Sequence, residues 1–246
     1  MCKISVCLAS YNGEKFIEQQ ILSILQQLSD KDELIISDDG STDNTLNIIN
    51  SINDCRIRIV QHTSNKNVSH KYCSNFYKVS ANFENALKYV TGDLIFLSDQ
   101  DDIWLPGKVE RYVKALDNND LVQGNYLYID EKNTPIWGKR FISSPFKNIF
   151  YDLFMMPFHG ASMAFKRWVI DYALPFPTNI IQHDVYLGKI VLLRGRCVYV
   201  PEALTAYRIH AQNVSLPHTQ SRNPIWFKIG IRLRLLLQAV MRVYIK

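Results

Sequence analysis

No disulfide framework, export signal or membrane span is legible in this chain. Its five cysteines, Cys2, Cys7, Cys55, Cys73 and Cys197, are odd in number and form no C-x-x-C pair. That argues against both a set of bridges and a zinc site, and they read as reduced thiols. The apolar stretch Ile4 to Ala9 is too short for the core of a signal peptide and runs at once into polar residues. Nothing reaches the roughly 18 uninterrupted apolar residues that cross a bilayer, so a cytoplasmic protein is the expectation. Internal repeats and low-complexity linkers are missing too. Acidic residues are absent after Glu202, where seven basic ones follow: Arg208, Arg222, Lys228, Arg232, Arg234, Arg242 and Lys246. The net charge of +5 is therefore a property of the tail, and residues 1–202 sum to −2. The body has no basic face that calls for a polyanion, and no nucleic acid partner is expected.

What is present is apolar material in alternating blocks, 47% of 246 residues, enough for one buried core. Ile4–Ala9 reads as a strand, and Ile17, Ile21, Ile24, Leu25 and Leu28 follow at helical spacing. Leu34-Ile35-Ile36 is a second strand, Leu46 to Ile52 a helix, Ile57–Val60 a third strand, Val79 to Val90 a helix and Asp93–Ser98 a fourth strand. The polar segment His62 to Ser74 reads as loop. Such alternation predicts an α/β fold with a mostly parallel, Rossmann-like central sheet and helices on both faces. The second half is less regular. One or two strands are expected in Val122–Ile129, another in Ser162–Phe165, a helix from Gln182-His183-Asp184 to Leu193, and a last strand Cys197–Val200 closed by Pro201.

Parallel sheets bind ligands at the carboxyl ends of their strands, and polar residues, mostly acidic, occupy those ends here. Strand one stops at Ser10-Tyr11-Asn12-Gly13, strand two at Asp38-Asp39-Gly40-Ser41-Thr42-Asp43, strand four at Asp99-Gln100-Asp101-Asp102. Carboxylates so close repel, and a hard divalent cation with oxygen ligands, Mn²⁺ or Mg²⁺, would neutralise them. A structural alternative is that Asp102 caps a helix beginning near Pro106. Turn and cap chemistry likewise accounts for Gly40 to Asp43 without any ligand. It does not require Asp38 and Asp39, which can accept hydrogen bonds from a base or ribose.

Together the strand ending at Asn12, the segment DDGSTDNT and the segment GDLIFLSDQDDIW resemble family 2 of the glycosyltransferases, with the GT-A fold. FHGASMAF, QHD and YRIHAQNV resemble the acceptor-side motifs of its bacterial polysaccharide members, notably rhamnosyltransferases and β-1,3-glucosyl- or galactosyltransferases. The resemblance covers about residues 3–216. It implies that Ala9, Tyr11 and Asn12 contact the nucleoside, Asp39 the base, and Asp38 or its turn the wall of that pocket. Asp99 and Asp101 would be the D-x-D pair, Asp99 nearer the ribose and Asp101 holding the metal on the diphosphate. His210 would complete the metal site, and Arg208 would meet the diphosphate as a charge-assisted donor. Asp184 matches the catalytic base. Many members carry an acidic residue before it, whereas this chain has His183, as in the rhamnosyltransferase-like subset.

The residues support Asp184 independently. Inverting transfer needs one carboxylate to take the proton of the acceptor hydroxyl as its oxygen attacks the anomeric carbon, although an aspartate at a helix start is also an ordinary N-cap. The Q-x-x-R-W motif of processive members is missing, which points to one sugar per visit. The implied reaction moves glucose, galactose or rhamnose from a UDP- or dTDP-sugar to a polyprenyl-diphosphate-linked saccharide, as in O-antigen or capsule assembly. A nucleotidyltransferase would need a glycine-rich triphosphate loop after strand one, and Ser10–Gly13 is not one. A non-catalytic sugar-nucleotide-binding module is the other alternative, against which the Asp99, Asp101 and Asp184 set argues.

The expected organisation is a GT-A domain over 1–216, with a nucleotide-sugar half at about 1–120 and an acceptor half at about 121–216, then a basic amphipathic tail over 217–246. In the tail Trp226, Phe227, Ile229, Ile231, Leu233 and Leu235–Leu237 alternate with basic residues. It reads as an interfacial helix on the inner leaflet, making the protein a peripheral membrane protein, or as a helix packed on the domain with its basic side chains snorkelling outward.

Overall fold

The computed structural model describes residues 2–63, 74–136, 148–155, 157–178, 180–211, 213 and 224–245. Four parallel strands form its first half: β1 (Ile4–Ser10), β2 (Glu33–Asp38), β3 (Ile57–Gln61) and β4 (Leu94–Asp99). Helices α1 (Ile17–Leu25), α2 (Thr45–Ile52) and α3 (Ser74–Leu87) connect them. Side chains alternate across each strand, so each contributes to two cores. Val6, Leu8, Leu34, Ile36 and Phe96 meet Ile17, Ile21, Ile24 and Ile49 on one face. Cys7, Ile35, Ile95 and Leu97 meet Phe83, Leu87, Tyr186 and Ile190 on the other. Both faces are covered, as the apolar runs require.

The second half adds β5 (Ile103–Trp104), α4 (Lys108–Leu116), β6 (Leu121–Ile129), α5 (Ile149–Phe154), a single 3₁₀ turn at Gly160–Ser162, β7 (Met163–Lys166), α6 (Trp168–Ala173), α7 (His183–Arg194), β8 (Cys197–Arg208) and α8 (Ile225–Tyr244). The eight-stranded sheet runs β3-β2-β1-β4-β7-β6-β8-β5. β7, antiparallel to both β4 and β6, and the edge strand β5, antiparallel to β8, make it mixed. Val122–Ile129 lies within one strand, β6. β8 does not stop at Pro201 but continues to Arg208, because the β6–β8 register shifts at Gly124/Asn125 and Asn125/Tyr126 and so accommodates a residue that cannot donate to the ladder.

Asp102 does not cap a helix. The residue before α4 is Gly107, in the left-handed region at φ +83, without a side-chain cap. α8 packs on α7 through the buried residues Leu235, Ala239 and Val243. Cys2, Cys7, Cys55 and Cys197 are free thiols, Cys73 lies outside the described residues, and burial pushes the Cys7 thiol far up. The expected boundary at 216/217 and most of the loop His62 to Ser74 also fall outside the described residues.

Candidate active site

β1 ends between two acidic neighbours: Ala9 is in register with Asp99 of β4, and Ser10 with Asp38 of β2. The loops beyond are tied by side chains. Asn12, left-handed at φ 47, accepts from the Thr42 amide at 2.8 Å, and its own amide donates to Ser41 Oγ at 2.9 Å. Gln100 clamps the Tyr11 backbone on both sides, accepting from its amide at 2.9 Å and donating to its carbonyl at 3.0 Å. A Cβ on Gly13 would strike the end of this Gln100 side chain and push it off its clamp. The Tyr11 ring is left 55% exposed. Asp38 is fully buried and spends both oxygens on its turn, accepting from the Gly40 and Ser41 amides and from Ser41 Oγ at 2.5 Å. Asp39 is the side chain beside it, with His62 Nε2 3.9 Å away.

Around Asp99–Asp102 the carboxylates differ in company. Asp101 Oδ2 lies 2.7 Å from His210 Nε2, a contact spanning 109 residues. Asp102 is buried; Oδ1 accepts from the Arg208 amide at 3.1 Å, and Oδ2 has no hydrogen-bond partner among the described residues. Burial, then the Asp101 and Asp184 charges, push Asp99 up to about 7. Asp102 is likewise raised well above the ordinary carboxylate range, by burial and by Asp101 and Asp99. The cluster thus carries more negative charge than its surroundings accommodate. Among the described residues no three His, Cys, Asp or Glu side chains converge as a complete metal cage. An imidazole and a carboxylate side by side fit an ion that draws its other ligands from phosphate oxygens and water.

Arg208 corrects one expectation. It is 1% exposed, and its donors go to the Asp101 carbonyl (2.8 Å), the Asp130 carbonyl (3.1 Å), Asn133 Oδ1 (2.7 Å) and Gln19 Oε1 (2.9 Å), with its guanidinium over the Phe16 ring. It buttresses the D-x-D loop and is not a donor held out to a diphosphate.

Asp184 sits in the first turn of α7, one residue past the helix start at His183, and Gln182 is the cap position. Its Oδ1 accepts from the Val185 amide at 2.8 Å and its Oδ2 from the Gly160 amide at 3.1 Å, across from the 3₁₀ turn. Burial raises its pKa, opposed by nearby His159 and by these amides. His183 is buried and neutral, stacked on Phe83 at 4.1 Å, and burial holds its pKa down to about 3.

Sequence reasoning missed what holds these parts together. Lys108 is completely buried and donates to the Ala161 carbonyl at 2.9 Å and Thr205 Oγ1 at 2.8 Å. Burial pulls its ammonium down to about 7, while Asp102 and Asp99 pull it back up. Gln123 spans the same turn, donating to Ser162 Oγ at 2.7 Å and accepting from the His159 amide at 2.9 Å. A lysine on an amphipathic helix and a glutamine in a strand carry no sequence mark of such roles.

Comparison with known proteins decides the family. The model described as Glycosyl transferase family 2 matches residues 5–172. This chain belongs to glycosyltransferase family 2. The enzyme is 36% identical over 223 residues to the dTDP-rhamnosyl transferase RfbG of Shigella flexneri, covering 84% of this chain and 72% of that one. It is 32% identical over 218 residues to the UDP-Glc:alpha-D-GlcNAc-diphosphoundecaprenol beta-1,3-glucosyltransferase WfaP of Escherichia coli, covering 86% and 79%. Among solved structures, the glycosyltransferase superposes on Staphylococcus aureus TarS 1–349 in complex with UDP-GlcNAc with a TM-score of 0.68 at 18% identity, covering 97% of this chain and 66% of that one. Glucosyl-3-phosphoglycerate synthase of Mycobacterium tuberculosis, solved with Mn²⁺, UDP and glucosyl-3-phosphoglycerate, gives 0.59 at 21% identity, covering 98% and 80%. The fold is GT-A, and family membership sets aside the nucleotidyltransferase alternative.

Proposed function

We propose that the enzyme is an inverting, non-processive glycosyltransferase that moves a hexose from a UDP- or dTDP-sugar to a polyprenyl-diphosphate-linked saccharide. The observation that carries this reading is the convergence of Asp184, from far along the sequence, on the end of β4 that carries Asp99: its carboxylate accepts from the Gly160 amide at 3.1 Å, and the 3₁₀ turn begun by Gly160 packs against β4. Ala9, Tyr11, Asn12 and Asp39 form the nucleoside rim, with Asp38 fixing its shape. Asp101, His210 and Asp99 would hold Mn²⁺ or Mg²⁺, which when bound stabilises charge on the departing diphosphate. Asp184 takes the proton of the acceptor hydroxyl as that oxygen attacks the anomeric carbon on the face opposite the leaving group. Burial suits it to this work by weakening its hold on the charged form, while the Gly160 amide keeps the carboxylate oriented. The names of RfbG and WfaP support a rhamnose or glucose donor and, for WfaP, a lipid-diphosphate acceptor. The test is transfer from UDP-glucose, UDP-galactose and dTDP-rhamnose to a synthetic lipid-diphosphate-GlcNAc. Chelator-sensitive transfer from one of them with inverted anomeric configuration is expected. A retained configuration, or undiminished transfer in excess chelator, overturns the reading.

Such an acceptor lies in a membrane, and α8 supports peripheral attachment there. Among the described residues no helix is long and apolar enough to cross a bilayer. Yet Trp226, Ile229, Leu233, Leu237, Met241 and Tyr244 form an exposed apolar stripe opposite the packed face, and Phe150 and Tyr151 of the adjoining α5 are exposed as well. Arg234 is exposed beside the stripe and no acidic residue occurs in the helix, which suits an anionic leaflet, whereas Arg232 and Arg242 turn toward the Phe154 ring and the Pro175 carbonyl of the domain. Flotation with anionic liposomes should weaken as salt rises. No binding at low salt would remove the membrane from the proposal.

A further inference from the structure

α4 delivers two side chains one turn apart to the same 3₁₀ turn. Lys108 Nζ donates to the Ala161 carbonyl at 2.9 Å, and Tyr112 Oη to the Ser162 carbonyl at 3.3 Å. The amide at the start of that turn, Gly160, is the one that holds Asp184 Oδ2. Lys108 also donates to Thr205 on β8, three residues before Arg208, whose amide holds Asp102 and whose side chain holds the Asp101 carbonyl. Its ammonium lies over the Trp104 ring at 4.3 Å, directly after the D-x-D loop. A fully buried ammonium costs solvation that two hydrogen bonds do not restore, and it persists where carboxylates face it. Here Asp102 and Asp99 are near enough to hold the ammonium's pKa up against burial, without forming an ion pair with it among the described residues.

We infer that Lys108 is a positioning residue that fixes the spacing between the D-x-D carboxylates and Asp184, and acts as their internal counter-ion before a divalent cation arrives. This rests on the roles assigned to Asp101 and Asp184 above. Two effects follow from one side chain. Its anchors hold the 3₁₀ turn, and so the orientation of the base. Its charge offsets the repulsion within the acidic cluster and competes with an incoming cation. Removing the charge should therefore strengthen the pull of the site on Mn²⁺ while misplacing the base.

The variants are Lys108→Met, which keeps length and apolar bulk without charge, and Thr205→Val, which removes one anchor and keeps the charge. Lys108→Met should lower kcat on the order of 10- to 100-fold, the range of supporting residues around metal sites, with UDP affinity in Mn²⁺ changed no more than a few fold. The Mn²⁺-induced rise in Tm, measured with the metal alone, should be larger in Lys108→Met than in the parent. A merely structural residue would lower Tm equally with and without metal. Thr205→Val should lower kcat several-fold and leave the Mn²⁺ response unchanged. Normal kcat in Lys108→Met overturns the inference, and an unaltered Mn²⁺ response beside a lowered kcat overturns its counter-ion part. If that variant does not fold, normal kcat in Thr205→Val overturns it instead. Loss of turnover in Asp101→Ala and Asp184→Asn but not in the Lys108 variant sinks this inference alone, whereas normal turnover in all three sinks the reading beneath it.

Discussion

The two halves of the site are built by different means. The proposed donor rim is made of consecutive residues at the ends of neighbouring parallel strands, and bonds between adjacent loops, such as Asn12 to Thr42 and Gln100 to Tyr11, lock it. The proposed acceptor side gathers Gly160, Asp184, Thr205, Arg208 and His210 from a 3₁₀ turn, a helix start and the end of β8 with the residues just after it, and holds them through the buried Lys108 of α4 and Gln123 of β6 and the exposed Gln19 of α1. A rim of local loops can be preorganised by its own turns. A carboxylate gathered from distant elements, as Asp184 is, depends on the packing behind it. Substitutions in the first half should therefore appear in nucleotide affinity, and those in the second in turnover or stability.

Asp101→Ala tests this division most severely. It should abolish Mn²⁺-dependent UDP binding and lower turnover by more than the roughly 10- to 100-fold typical of supporting residues. Calorimetry with and without chelator, beside steady-state rates, measures both, and wild-type binding in the variant would leave the cation without its ligand. Asp184→Asn should lower kcat by roughly 10²-fold or more, the scale of a lost general base, while UDP affinity stays within a few fold. A parallel loss of affinity would erase the contrast between the halves.

The two faces of α8 offer a gentler comparison. Leu235 is 1% exposed, and Leu235→Ala should cost about 2–5 kcal/mol of stability. Leu237, 59% exposed, should leave Tm unchanged as Leu237→Ala and weaken liposome flotation instead. Equal losses of Tm in the two would mean that both faces are covered.

The smallest effect concerns His183. Folded, it stays neutral down to about pH 3, whereas the unfolded side chain takes a proton near its ordinary value of 6.5. The unfolded state therefore binds more protons between pH 6.5 and 3, and stability falls as pH is lowered through that window, by at most about 1.4 kcal/mol per pH unit. Above pH 6.5 the term vanishes. His183→Leu should gain in Tm on the parent as pH drops from 7 to 5, by differential scanning calorimetry. A difference independent of pH would mean that the ring is not held neutral.

The parallel first half was legible because its apolar runs alternate with helical periods and its acidic residues mark the strand ends. The second half was legible only as motifs. Nothing in Ser162–Phe165 indicates that β7 lies between β4 and β6 and runs against both, since pairing partners leave no trace in periodicity. Pro201 suggested a strand end by removing a donor, but a shifted register on β6 made that donor unnecessary. Arg208 misled for a related reason. An arginine near acidic residues reads as a phosphate ligand, and only its burial among carbonyls reveals a brace. The α8 sequence supported two readings because the helix has two apolar faces, one packed on α7 and one exposed.

The bond from Arg208 to Gln19 joins residues 189 apart in sequence. During synthesis the first helix and the D-x-D loop emerge long before the strand that secures them, and this late closure must be reached by a chain in which seven described strands precede β8. The acidic loop thus waits, without its brace, for almost the whole domain to be translated. A chain cut short before Arg208 would keep the nucleotide half of the sheet yet have neither Arg208 nor His210 to complete the loop.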